Sequence, residues 1–536
     1  MRLSSNVTAR LRPALVRQRI ETMWAVLVTA VRRVFVLLIV AAITFLAVRV
    51  WDSQRGEPLD LWHTYVPHEL SVKEIEAADW AKYLNAEAAL FDEVRAEVVR
   101  KLPPEERVPH SRYFEGSPVY PGHFSRDWNR SFAIEPKGTP LGAVVLLHGL
   151  TDSPYSLRHI GEVYRSHGFI VIAIRLPGHG TVPAALTDIE WVSWKAATRL
   201  AVREACRRIL PSAPLHLVGF SLGGALALQY ALEAIDDRDL RQPDRLVLVT
   251  PMIGITRLAR FAGLAGLPAF FPAFAKAAWL SVLPEFNPFK YNSFPVNGAR
   301  QSARLADALQ DQIARYAREG KLTRLPPVLT FQSVVDFTVS TSAIMTFLYG
   351  RLPANGSEIV LFDVNRSVKF GALLRSSADI ALSRILPTGP QKYRTTIITN
   401  TDAGSGEVVE RTIEAGAVTA HSRELGLFYP PDVFSLSHLA LPFPMNDSLY
   451  GRYPDPAEDF GIHLGTLAPR GERNVLIASM DMLLRLSFNP FFPYLKQRIE
   501  EGIVSRPAAG SENATDPARA FLPKSADEAP VGKPAN

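Results

Sequence analysis

From Ala143 onward the chain alternates short unbroken apolar runs with longer amphipathic ones. Ala143–Leu147, Phe169–Ile174, Leu215–Val218, Leu246–Val249, Val328–Phe331 and Ile359–Phe362 carry almost no polar residue. Runs that are apolar on both faces belong in a parallel sheet covered by helices on either side. Between them, residues 155–167, 183–209, 222–235 and 299–318 repeat apolar positions at helical spacing. Strand and helix in alternation predict an α/β fold with a mostly parallel, doubly wound sheet.

Two stretches interrupt that rhythm. Residues 251–325 begin with a Phe- and Ala-rich segment between two strands, the place for a cap. Residues 366–430 form a second insertion, whose Tyr393–Asn400 and Val408–Ile413 runs read as a hairpin across the turn at 402–406. A last amphipathic helix is predicted near 474–503. Pro, Ala, Gly, Ser, Glu and Asp dominate 505–536, which predicts a disordered tail. Upstream, Leu70–Arg100 is patterned as helix until Pro103-Pro104, and a turn-rich segment follows. Residues 52–135 therefore read as an extension that wraps the principal domain, 136–504.

The charge changes the picture at the amino end. The chain of 536 residues has a formal charge of +6. Residues 1–33 hold Arg2, Arg10, Arg12, Arg17, Arg19, Arg32 and Arg33 against Glu21 alone, so this leader carries the whole excess. A basic surface for nucleic acid spread over the fold is thereby excluded. Residues 34–51 are apolar apart from Arg49, roughly 27 Å of helix, close to a bilayer core. They read as one transmembrane helix. The arginine excess puts the leader in the cytoplasm and the domain on the other side of the membrane, periplasmic in a bacterium. A cleaved signal peptide is the main rival and a transit peptide a lesser one, but no Ala-x-Ala site follows the apolar run.

Hydrophobic residues make up 47% of the sequence, enough for a large core and too many for wholesale disorder. A lone cysteine, Cys206, forms neither an intrachain disulfide nor a cysteine zinc site. The histidines are scattered and no phosphate-cradling loop occurs, so neither metal nor cofactor is expected.

Gly219-Phe220-Ser221-Leu222-Gly223 lies between a predicted strand and a predicted helix, the setting of a nucleophile elbow. Glycines flank the serine because so sharp a turn leaves no room for a Cβ. A serine hydroxyl attacks only when a histidine takes its proton and an acid orients that histidine. On such a sheet these follow in the order serine, acid, histidine. Asp336, just past the Val328–Ser333 run, suits the acid, with Asp363 after the next strand as competitor. Of His421, His438 and His463 downstream, His438 has the apolar frame of a loop packed over a site. The loop Leu147–Ser153 follows the first strand, where backbone N–H groups are needed for an oxyanion. Leu150 and Leu222 are the expected donors, while His148 and His179 read as loop-shaping residues.

The motifs HGLTDSP (148–154), RLPGHGT (175–181) and GFSLGG (219–224), with Asp336 and Ser437-His438, resemble the α/β-hydrolase superfamily. The similarity is to its lysophospholipase, monoglyceride lipase and serine-aminopeptidase-like branch, across about 141–440. It implies a serine-dependent carboxylic ester hydrolase working through an acyl-enzyme, with Ser221 as nucleophile, His438 as base then acid, and Asp336 orienting it. The expected partners are a small-molecule or lipid ester and, through the N-terminal helix, a membrane. A proline-iminopeptidase-like activity, with Glu285 in the cap binding a substrate amino group, and a thioesterase activity remain open. So does a catalytically silent binding protein on the same scaffold.

Overall fold

The computed structural model describes residues 8–55, 58–254, 266–468 and 475–504. The predicted tail 505–536, the first residues of the leader and cap residues 255–265 lie outside them.

Ten strands form the main sheet: β1 (Phe132–Ile134), β2 (Gly142–Leu147), β3 (Phe169–Ile174), β4 (Leu215–Phe220), β5 (Arg245–Val249), β8 (Val328–Ser333), β9 (Glu358–Phe362), β10 (Arg394–Asn400), β11 (Glu407–Ile413) and β12 (Ala420–Phe428). A two-stranded ribbon, β6 (Trp279–Ser281) and β7 (Phe294–Pro295), stands apart from it. The order across the sheet is β1-β3-β2-β4-β5-β8-β9-β10-β11-β12. Every pairing from β3 to β10 is parallel. β1 at one edge and β11 and β12 at the other are antiparallel.

The unbroken apolar runs are explained by burial on both faces. Ala143, Val145 and Leu147 of β2 join a core with the helices Trp191–Arg207, Leu222–Asp236 and Val296–Arg318. Val144 and Leu146 point the other way, into a core with Ile160 and Tyr164 of Arg158–Ser166 and Leu495 and Ile499 of Phe492–Val504. Each buried leucine or valine contributes about 1.5–3 kcal/mol, so β2 alone commits the chain to two helical layers. The extension contributes to the first layer: Ile75, Trp80 and Tyr83 pack in the same core.

Three features depart from the sequence pattern. The hairpin β10–β11 is not a separate excrescence, because β10 pairs in parallel with β9 and β12 adds a further strand. Arg423 of that edge strand pairs with Glu410 of β11, and charges of this kind discourage edge-to-edge association. The helix predicted over 474–503 is two helices, Met480–Arg485 and Phe492–Val504. Pro490 lacks an N–H and disfavours helix in the residue before it, and Asn489 instead donates from its backbone to Phe443 O (2.8 Å) and from Nδ2 to Leu441 O (3.0 Å).

At the amino end one helix runs from Thr8 to Ser53, straight through Arg32-Arg33. Its stretch Thr22–Trp51 is long and apolar enough to cross a membrane by length and composition, and the most apolar window is unburied. The last turns touch the cap. Arg49 donates to Trp279 O (3.0 Å), Gln54 to Ala273 O (3.1 Å), and Lys276 to Arg55 O (2.6 Å).

Candidate active site

Ser221 occupies the turn between β4 and the helix Leu222–Asp236, with φ 53° and ψ −112°. A positive φ is strained for a residue with a side chain. Four backbone bonds hold it: Ser221 N donates to Val249 O (3.0 Å), and Ser221 O accepts from Gly224 N (3.0 Å), Ala225 N (3.3 Å) and Met252 N (2.9 Å). A Cβ on Gly219 would collide with the Gly223 carbonyl, and one on Gly223 with the Leu147 carbonyl. Both glycines are therefore demanded by close approach of backbone. The N–H of Leu222, at the first helical position, belongs to the set that helix geometry leaves without an intrahelical acceptor.

The loop after β2 passes directly over this turn. A Cβ on Gly149 would lie 3.2 Å from the Phe220 ring and 3.4 Å from Ser221 Cβ. His148 shapes the loop. Leu176 N donates to His148 Nε2 (3.0 Å), which leaves the proton on Nδ1, 2.9 Å from Gly149 O. Burial, and then the neighbouring His179, push His148 far below its ordinary value. His179 lies 5.0 Å away, ring to ring, and burial lowers it to about 3. Both are buried neutral groups spanning two loops.

Asp336 lies three residues past β8. Its Oδ1 accepts from Thr338 N (2.7 Å) and Val339 N (3.0 Å), and its Oδ2 accepts from Gln332 Nε2 (3.2 Å). His438 Nδ1 stands 2.8 Å from the same Oδ2, and both side chains are buried, at 4% and 0% exposure. Burial alone would raise the Asp336 carboxyl, but His438 and the two backbone donors outweigh it and hold it below its usual range. The His438 ring lies 5.4 Å from that of Phe220, the residue before Ser221.

The other acid and histidines stand elsewhere. Asp363 accepts from Arg366 Nε (3.0 Å) and Thr399 Oγ1 (2.9 Å), with no histidine. His421 is exposed on the outermost strand β12, and His463 bonds the backbone carbonyl of Ser448 at 3.1 Å. Glu285 is buried, and its carboxylate accepts from Ser293 N (2.7 Å) and Asn292 N (3.0 Å) within the cap.

Sequence pattern missed the residue that delivers His438. Asn365, just past β9, donates its backbone N–H to Phe434 O (2.9 Å) and its Nδ2 to Val433 O (2.9 Å) and Pro430 O (3.2 Å). The chain thus leaves the sheet at β9 and returns to the same point before reaching His438. Among the described residues the non-glycine positions of positive φ are Ser221, whose strained turn the sequence implied, and, unforeseen, Thr151 (62°) and Thr250 (43°). Each closely follows the carboxyl end of a strand, β4, β2 and β5, and strain of this kind concentrates at functional sites.

Such a sheet and elbow define an α/β hydrolase fold. Residues 144–389 match the family described as "Alpha/beta hydrolase family". The thermostable monoacylglycerol lipase of Bacillus sp. (strain H-257) is 25% identical over 248 residues, covering 45% of this chain and 84% of that protein. Among solved structures, the monoacylglycerol lipase of Paleococcus ferrophilus is 17% identical, covering 47% of this chain and 99% of its own, with a TM-score of 0.32. A soluble variant of monoglyceride lipase from Saccharomyces cerevisiae is 14% identical, covering 43% of this chain and 80% of its own, with a TM-score of 0.32.

Proposed function

We propose that the protein is a membrane-anchored serine hydrolase that cleaves carboxylic esters, of acyl or lipid type, through an acyl-enzyme. The observation that carries this reading is the 2.8 Å contact of His438 with Asp336 beside the strained Ser221 turn. Ser221 Oγ attacks the ester carbonyl as His438 Nε2 takes its proton, and Asp336 stabilises the imidazolium through Nδ1–H. The N–H groups of Leu150 and Leu222 donate to the oxyanion, where one such donor is worth about 3–4 kcal/mol. Collapse expels the alcohol, which takes the proton from His438. Water then attacks the acyl carbonyl, giving its proton to His438, and the acid and free Ser221 are released.

An acyl lipid as substrate is supported by the named activity of the Bacillus relative and by the apolar helix whose end is hydrogen-bonded to the cap. A cytoplasmic amino terminus, with the domain on the opposite face, is supported by the arginine-rich leader. The aminopeptidase reading needs Glu285 free for a substrate ammonium, and its carboxylate is already engaged by cap N–H groups.

The test is fluorophosphonate labelling of the full chain in detergent, with turnover of p-nitrophenyl esters, a monoacylglycerol, a lysophospholipid and aminoacyl amides. Labelling that vanishes in Ser221→Ala, with turnover confined to esters, supports the proposal. A folded wild type that neither labels nor turns over any ester sinks it. Protease protection of a C-terminal tag in closed vesicles tests the sidedness.

A further inference from the structure

Lys290 belongs to the cap, in the loop between β6 and β7, yet it reaches into the loop after β2. Its Nζ donates to Thr151 Oγ1 (2.6 Å) and Leu150 O (3.4 Å), and the next residue, Tyr291, donates its backbone N–H to Thr151 O (2.7 Å). Asp152 lies beside it, buried, with Oδ2 unpartnered among the described residues. The cap loop that presents Lys290 is itself fixed. Glu285 accepts from Asn292 N and Ser293 N, Asn287 Nδ2 donates to Tyr450 OH (2.7 Å), and Phe289 stacks on Tyr155 at 4.3 Å.

We propose that Lys290 is a positioning residue for the oxyanion loop, holding the strained Leu150–Thr151 backbone so that the Leu150 N–H faces Ser221. This deepens the serine-hydrolase reading and rests on it. Thr151 is held at a φ of 62°, which a side-chain-bearing residue leaves readily unless its surroundings over-determine it. The ammonium, its neighbour's N–H and the Thr151 hydroxyl supply that determination from one side. A lysine taken even partly out of water is costly unless its charge is satisfied. Lys290 is half-buried and two oxygens of the loop accept from its ammonium, so the bonds that satisfy the charge are the bonds that hold the loop in place. Burial lowers the Lys290 ammonium and Asp152 opposes that shift. A cap residue thereby becomes part of what makes the oxyanion pocket rigid before substrate arrives, which is where such donors gain their effect.

The experiment compares wild type, Lys290→Met, Lys290→Arg and Thr151→Val for ester turnover, for the rate of fluorophosphonate labelling and for inhibition by a trifluoromethyl ketone, which forms an oxyanion on the serine. Loss of the positioning contact predicts a kcat about 10–100-fold lower in Lys290→Met with KM changed less than about twofold, because an oxyanion donor acts in the transition state. Weakening of the trifluoromethyl ketone should follow kcat, and Lys290→Arg should recover most of the loss. Thr151→Val, which removes one acceptor and leaves the charge, should fall between, and it carries the test if Lys290→Met does not fold. A Lys290→Met protein, or failing that Thr151→Val, that labels and turns over at the wild-type rate overturns the proposal. So does a loss that falls on KM alone. Absence of labelling in wild type overturns the serine-hydrolase reading, and this proposal with it.

Discussion

The cap, residues 266–295, and the excursion 366–433 both break the alternation of strand and helix, but they meet the site differently. The cap reaches inward: Lys290 and Tyr291 bond Thr151, and Phe286 and Phe289 share a core with Tyr155 and Tyr450. The excursion builds outward, adding β10, β11 and β12 to the sheet, and its two ends meet at Asn365 and Phe434, four residues before His438. An insertion's length along the chain thus says little about its effect on a site. What counts is whether its ends close on each other or its middle folds back.

The largest effects should fall on residues outside either insertion's body. Ser221→Ala and His438→Ala should each lower kcat by about 10⁴-fold or more. His421→Ala, on the excursion's edge strand, should leave ester turnover unchanged, and a loss confined to His421→Ala would reverse the assignment.

Next come the supports of the cap's floor. Asp447 is buried and accepts from Tyr155 OH (2.9 Å), Arg158 Nη2 (3.0 Å) and His159 Nε2 (2.8 Å). Burial would raise this carboxyl, but His159 and Arg158 hold it far below its ordinary value. Asp447→Asn should cost about 3–5 kcal/mol in urea unfolding, the loss typical of breaking one side of a buried pair. A depressed carboxyl favours the folded state above its unfolded value, about 3.9. That contribution should therefore persist at neutral pH and drain away only below about pH 4.

The neutral histidines behind the loop after β2 give a higher window. The unfolded chain takes up a proton on histidine near pH 6.5, whereas His179 in the fold resists it down to about 3. Stability should be full above about pH 6.5 and fall as pH drops toward 3, at up to about 1.4 kcal/mol per unit for one such group. His179→Gln should flatten that slope in urea midpoints measured against pH. An unchanged slope would show that the ring is hydrated in solution.

The junction of the excursion should be more forgiving. Asn365→Ala removes two side-chain bonds to the returning loop and three accepted from Ser367 and Asn400, and should cost about 1–3 kcal/mol, with kcat falling along with the loosened His438 loop. At the tip, Val418 is 67% exposed, so Val418→Asp should move stability by no more than about 0.5 kcal/mol and leave kcat and KM alone. A change in substrate preference there would break the contrast between the two insertions.

Much of the fold was legible because β2, β3, β4, β5, β8 and β9 are buried on both faces, and an unbroken apolar run is the signature of that environment. β12 was not, since its exposed edge position leaves a polar sequence resembling a loop. The break at Pro490 went unread because amphipathic spacing continues on either side of it. At the site, Ser221 stood out through its glycines, which record steric contacts local to the turn. Lys290 and Asn365 gave no signal. Their contacts with Thr151 and Phe434 join residues 139 and 69 positions apart, and a lone lysine or asparagine in a loop has no pattern to read.

The bond between Asn365 and Phe434 also bears on how such a chain acquires new parts. Entry and exit of the excursion lie a single hydrogen bond apart, while its strands cover β9 and lend Ile398, Val408 and Tyr429 to the core. A folded unit whose termini lie equally close, and which also covers β9 and the core face that Ile398, Val408 and Tyr429 now fill, fits that socket and keeps the spacing of β9 and the His438 loop. The molecule therefore has a natural splice point beside its chemistry, at which cargo, a reporter or a binding module can be exchanged for β10–β12 provided the newcomer covers the edge of β9.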